Sequence, residues 1–345
     1  MRQHIIYYKN LINIYILKMR IFYKAFFSLL MLICLNACQK NIDLFVTDPI
    51  QTFADTVWQN NLPSNAAVVS LKNELKVQNV TDSFFYANAG VVFASGNISL
   101  TVPANGLIIN NGTVPAGIVK RESLLIHKKG AFIAMNMPTT INGKLLITGG
   151  AFFLGLKNNN NALAVSAGNK LTVRYNNTVP VLNNYIYNAV VDSITGLFIR
   201  WEQNIDTAFN RSLVTANGYE IQTNRLQYVQ TAHLLDTAGI AQTTISLKLP
   251  PQYTNTNTVA YVSFNNIESV AGLTANVASR KFLSSLLPVN KPVTMVVISK
   301  QGSDYYLGTF QTVTNNLISG TFIQEINIVP VKKSLQNIKT YLDGL

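Results

Sequence analysis

The chain has 345 residues, 48% of them hydrophobic and only 12% charged, with 27 Lys and Arg against 15 Asp and Glu. The bases are scattered singly or in short pairs such as Lys120-Arg121, Lys128-Lys129 and Lys332-Lys333, read as solvated strand ends, and no basic cluster interleaves with aromatics, which excludes nucleic acid as a partner. The only two cysteines are Cys34 and Cys38, so the rest of the chain can hold no disulfide, thiol nucleophile or cysteine metal site.

The first feature in chain order is an apolar run from Ala25 to Leu35, with Arg20 and Lys24 before it and Asn36-Ala37-Cys38 after it. Basic, apolar and small-residue regions in that order make a secretory signal. The alternative is a single transmembrane anchor, but the run is shorter than the roughly 20 residues a bilayer core needs. A cysteine directly after the small residue resembles the lipobox of bacterial lipoproteins. That resemblance implies that residues 1–37 are removed, that Cys38 carries lipid, and that the protein is an outer-membrane lipoprotein on the periplasmic or cell-surface face. Gln39, rather than Asp, favours export beyond the inner membrane by the same analogy. Met19 is a candidate for the true start, since Met-Arg-Ile-Phe-Tyr-Lys leads straight into the apolar run. Five bases (Arg2, Lys9, Lys18, Arg20, Lys24) and no acid precede Cys38, leaving 22 bases against 15 acids after it.

Residues 38–64 are polar, poorly patterned and expected to form a tether. Short runs rich in Val, Ile, Thr and Phe follow: Val91 to Phe93, Ile98 to Val102, Ile118 to Ile126, Lys144 to Thr148, Leu171 to Tyr175, Ile245 to Leu249, Val259 to Phe264 and Val293 to Ile298. Turn signals stand between them at Asn105-Gly106, Asn111-Gly112, Asn142-Gly143 and Gly149-Gly150, the pattern of a β-sandwich. Phe282, Leu283, Leu286 and Leu287 fit one helical face, as do Leu335, Ile338, Tyr341 and Leu342 at the end. The expected fold is mainly all-β, with tandem β-sandwich-like domains, few short helices and a C-terminal helix. A polar break at Asn176-Asn177-Thr178-Val179-Pro180 places the domains at 65–178 and 179–345.

Gly96 to Leu107, Gly117 to Lys120, Pro138 to Thr140 and Gly143 to Phe153 carry a family resemblance. They resemble exported bacterial lipoproteins of unknown function whose first domain is similar to the ZU5 β-sandwich. The shared elements are a strand ending at Pro103-Ala104, a following strand pair, and a Gly149-Gly150 break before an aromatic strand. ZU5 domains are interaction modules, so the resemblance implies binding or scaffolding. Some precede a domain that cleaves itself at His-Phe-Ser, a tripeptide this chain lacks, so self-cleavage is not carried over. From the residues alone, Pro103 ends a strand by withholding its N–H, and Gly149-Gly150 permits a bulge.

Candidate chemistry is sparse. After Cys38 the only histidines are His127 and His233, expected to be structural, and no Gly-x-Ser-x-Gly elbow or paired-histidine metal spacing occurs. No cofactor or metal is implied, and the chain is expected not to be an enzyme. Glycoside hydrolysis would need two facing carboxylates; Glu202 beside Trp201 is the most suggestive acid, although alternation puts Trp201 on the face of Leu197 and Ile199 and leaves Glu202 to Arg200 in solvent. Glycan binding without catalysis is the alternative to a protein-binding scaffold. Its candidate stacking residues are Trp201, Tyr305 and Tyr306, with Trp58, Tyr185 and Tyr187 as further aromatics. Thr56, Ser193, Thr207 and Thr237 stand in Asp-Ser/Thr-aliphatic triplets that resemble O-glycosylation acceptors of exported bacterial proteins, or else form Asx turns.

Overall fold

β-branched runs punctuated by Asn, Gly and Pro fold as strands almost throughout. The computed structural model describes residues 57–109, 112–315 and 323–345; the signal segment, Cys38 and Thr56 lie outside them. The chain enters through helix α1 (Ala67–Leu75) and continues as β1 (Val80–Tyr86), β2 (Val91–Ser95), β3 (Ile98–Val102), β4 (Leu107–Ile109) and β5 (Gly117–Ile126). Helix α2 (Lys129–Ala134) leads into β6 (Thr140–Ile141), β7 (Lys144–Asn158), β8 (Asn161–Val165) and β9 (Leu171–Asn176). Next come β10 (Tyr185–Val191), β11 (Phe198–Gln203), β12 (Arg211–Thr215), β13 (Gly218–Thr223) and β14 (Tyr228–Leu234). A second group follows with β15 (Gln242–Lys248), β16 (Thr258–Phe264), β17 (Val270–Gly272), β18 (Thr274–Asn276), β19 (Lys281–Leu283) and β20 (Leu287–Pro288). It closes with β21 (Pro292–Gln301), β22 (Asp304–Val313), β23 (Ile323–Asn327), β24 (Val331–Lys333) and helix α3 (Leu335–Asp343).

Two sandwiches result. In the first, sheet I runs β1-β5-β7-β14-β10-β11 and sheet II runs β12-β13-β9-β3-β2. Phe152, Leu154 and Val229 of sheet I close a core with Leu100, Val173 and Ile221 of sheet II. In the second, sheet III runs β18-β19-β15-β20, with β23 added parallel to β15, and sheet IV runs β17-β16-β21-β22-β24. Their shared core holds Ile245, Leu247 and Phe282 against Val262, Met295 and Val297.

The remaining faces of sheets I and IV are covered by α1, α2 and α3. Leu71 and Leu75 of α1, Phe132 of α2, and Ile338 and Leu342 of α3 join Tyr187 and Trp201 of sheet I and Tyr261, Val296 and Ile298 of sheet IV in a third core. Sheet IV is thus buried on both sides, which is why β16 and β21 read as continuous apolar runs rather than alternating ones. Gly130 lets α2 approach α3: a Cβ there would overlap the Leu342 carbonyl. Lys128 Nζ donates to the Asp343 carbonyl at 2.9 Å, placing a cation at the C-terminus of α3. Ser334 caps the other end, accepting from Asn337 N at 3.1 Å. Backbone bonds also cross between the sandwiches, from Thr139 N to Val270 O and from Thr148 N to Glu268 O.

The expected division at residue 178 does not coincide with a break in pairing. After it, β13 pairs β9, and β14 pairs β7, so residues 179–234 complete the first sandwich and the second begins at β15. Asn and Pro at 176–180 end a strand but do not say which sheet the chain joins next. The tether also ends earlier than 64. Trp58 packs on Phe282 with ring centroids 5.0 Å apart, and Gln59 N donates to Asn255 Oδ1 at 3.0 Å.

Local signals fared unevenly. Asn142 and Gly143, with φ of 48° and 75°, form the two-residue turn between β6 and β7. The Gly149-Gly150 break is a bulge: Thr231 pairs Gly150 and Ala232 pairs Thr148, leaving Gly149 unopposed. A Cβ at Gly149 would strike the Tyr219 ring. Residues 282–287, read as a helical face, instead supply β19 and β20 with Leu286 turned outward. Of the pairs read as solvated strand ends, Lys120 and Lys128 are exposed, but Arg121 is fully buried within β5 and Lys129 Nζ donates to Phe264 O at 2.7 Å.

Candidate functional site

A groove of about 770 Å³ opens where the two sandwiches meet. Helix α1 supplies Lys72, and β11 supplies Phe198 and Ile199. Asn136, Pro138 and Tyr261 line the groove too, as does the β17–β19 corner with Thr274 and Asn276. Asn136 ends α2 with φ of 52°, a conformation Asn tolerates, and its Oδ1 accepts from Tyr261 OH at 2.7 Å. Burial raises the Tyr261 phenol, which stays a donor.

Among the described residues, Lys72 is the one charged side chain on these walls. It is half-buried and has no hydrogen-bond or ion-pair partner among them. The nearest acid in sequence, Glu74, faces elsewhere, because residues two apart on a helix do not share a face. Its Oε1 accepts from Ser70 Oγ at 2.7 Å and Lys300 Nζ at 2.5 Å, and its Oε2 from Tyr305 OH at 2.7 Å. Burial alone would raise the Glu74 carboxyl, but the bonds from Lys300, Tyr305 and Ser70 together hold it below the usual carboxylate range. Lys72 therefore gains no compensation, and burial pushes its ammonium below the ordinary lysine value.

Ile199 enters the groove because of a second bulge. Val190 pairs Arg200 and Val191 pairs Phe198, so Ile199 is the extra residue. The bulge breaks the alternation expected from Leu197 to Glu202. Phe198 and Trp201 share the inner face with ring centroids 5.1 Å apart, while Ile199 is 53% exposed.

A wider cleft on another side, lined by His127, Lys128, Lys129, Glu268 and the chain end, has its cations engaged by Asp343 O, Phe264 O and Glu268. Burial first and Lys128 second hold the His127 imidazole below its usual value. His233 Nδ1 lies 2.9 Å from Asn184 Oδ1. A pocket of about 600 Å³ beside Trp58 carries Lys248, Arg280 and Tyr253, whose phenol burial pushes up to about 12.

The sequence candidates are not brought together. Trp201 is 1% exposed, and its Nε1 donates to Pro138 O at 3.0 Å; a ring held in the third core cannot stack on a ligand, so the expectation for Trp201 is corrected. Tyr305 is the Glu74 partner beside α1, with Lys300 Nζ 5.5 Å from its ring centre. Tyr306 points the other way and packs edge-on to Tyr253 at 5.6 Å. Both are therefore spent on packing rather than offered as a stacking pair. Tyr187 is buried, whereas Tyr185 is exposed. Glu202 pairs with Arg200 on the exposed side of β11. Ser193 and Thr207 are exposed in turns and Thr237 is half-buried; Asp192 and Asp236 accept from Ile194 N and Ala238 N as in Asx turns. Thr56 lies outside the described residues. Lys72, Asn136 and the groove wall are not legible in the sequence, where a single Lys in a nine-residue helix carries no signal.

No family model matches the chain, and no curated protein matches it in sequence. Among the described residues no helix is long and apolar enough to cross a membrane.

Proposed function

We propose that the chain is a lipid-anchored, non-catalytic binding module of the cell envelope. In this reading Cys38 carries the anchor at the outer membrane, a ZU5-like sandwich forms the first half, and the intersandwich groove seats the partner. The observation that supports it most is the groove itself. It is preformed between two sandwiches joined by a common core and backbone bonds, and it combines an apolar shelf with a few polar groups as binding sites do. No carboxylate lines it among the described residues, so the pair of facing acids needed for glycoside hydrolysis is not found on its walls.

The test immobilises the full chain and passes the host's envelope polysaccharides and proteins over it, beside a Thr274→Trp variant that fills the groove from an exposed wall position. Retention of a component that elutes chemically unchanged, and its loss in Thr274→Trp, is the expected result. Cleavage of the retained material, or equal retention by the variant, would overturn the reading.

A further inference from the structure

Among the described residues, Lys72 is the one charged side chain on the groove wall. It is half-buried, the nearest acid in sequence, Glu74, is taken by Lys300, Tyr305 and Ser70, and no described group pairs with it. A half-buried cation left to water is available to a ligand carboxylate, and a charge-assisted bond of that kind is roughly twice as strong as a neutral one. Around it the groove offers neutral hydrogen-bonding groups, with Asn60, Asn276 and Thr274 at its rim, and the apolar shelf of Phe198 and Ile199. One cation amid amides and hydroxyls beside an apolar face suits a ligand with one carboxylate, many hydroxyls and one apolar side.

We propose that the groove binds acidic oligosaccharides, with Lys72 receiving a sugar carboxylate, the rim amides taking ring hydroxyls, and Phe198 and Ile199 supporting the sugar's apolar face. This rests on the reading of the chain as a binding module but not on its lipid anchor. An acidic peptide added as a strand fits less well, because the edge strands bordering the groove are three residues long at β17 and β18 and bulged at Ile199 in β11. Nucleic acid fits less well still, since a lone cation cannot follow a phosphate backbone.

The test titrates the detergent-extracted full chain with oligogalacturonate, alginate oligomers and a sialylated trisaccharide. Each runs beside its carboxyl-reduced form, and a polyglutamate peptide serves as a charge control. At least one acidic sugar saturates the site, and both carboxyl reduction and Lys72→Met weaken it about ten- to hundredfold. Lys72→Met removes no hydrogen bond among the described residues and should keep the parent's melting temperature, so that a loss of binding is read at the groove. The proposal is overturned if no acidic sugar binds, if Lys72→Met or the reduced sugar binds equally, or if polyglutamate binds as tightly. Should Thr274→Trp abolish retention of some other ligand while every acidic sugar fails, this proposal falls and the binding-module reading stands.

Discussion

Asp82→Ala should be among the most damaging single changes in the first sandwich. Its partner Arg121 is fully buried, with Nε and Nη2 donating to Asp82 Oδ1 and Oδ2 at 2.9 and 2.8 Å. Nη2 also reaches Ser95 O at 3.2 Å, and the guanidinium carbon lies 4.7 Å from the centre of the Phe93 ring. The pair thus ties β1 and β5 of sheet I to β2 of sheet II. Removing the carboxylate strands a guanidinium that cannot deprotonate, at a cost of about 3–5 kcal/mol. Arg121→Met leaves Asp82, 19% exposed, able to reach water, and should cost less. The double variant Asp82→Ala/Arg121→Met should therefore recover stability over Asp82→Ala alone. Urea unfolding of the four proteins, followed by far-UV circular dichroism, measures the cycle. A loss below about 1 kcal/mol for Asp82→Ala, as for an ordinary surface pair, or no recovery in the double variant, would refute this reasoning.

Gly130→Ala should displace the C-terminal helix, because the new methyl meets the Leu342 carbonyl; overpacking of this kind costs about 1–3 kcal/mol, and faster proteolysis at the C-terminus reports it. Acid should loosen α1. The Glu74 carboxyl is held below its usual value, so its contribution is fully present above the unfolded pKa and is lost as pH falls through the lower folded one. Hydrogen exchange of the α1 amides, corrected for intrinsic rate, should show that loss below about pH 4.3, the ordinary Glu value, and Glu74→Gln should abolish the pH dependence.

Strands such as β3 and β9 were legible because one-sided burial leaves alternation between turn signals, and β16 and β21 because burial on both faces leaves a continuous β-branched run. Asn142-Gly143, Gly149-Gly150 and Pro103 each act within a few residues of themselves. The C-terminal helix was legible through its apolar face. What was not legible depends on distant partners. Helix α1 has no side-chain cap, and its Val68 N is satisfied by Thr256 O from the second sandwich. Trp201 was placed with Ile199 because a one-residue bulge opposite Val190 and Val191 leaves no mark in composition. The groove shares this origin, since its walls come from α1, β11 and the β17–β19 corner, which are far apart along the chain.

The most direct measurement is the intact mass of the protein extracted from host membranes, for wild type and Cys38→Ala, with and without globomycin. An anchored module requires a chain beginning at Cys38 with acyl groups added, and a Cys38→Ala variant left unprocessed or released. An unmodified mass with residues 1–37 still attached would contradict the anchor and with it the placement of this module at the outer membrane.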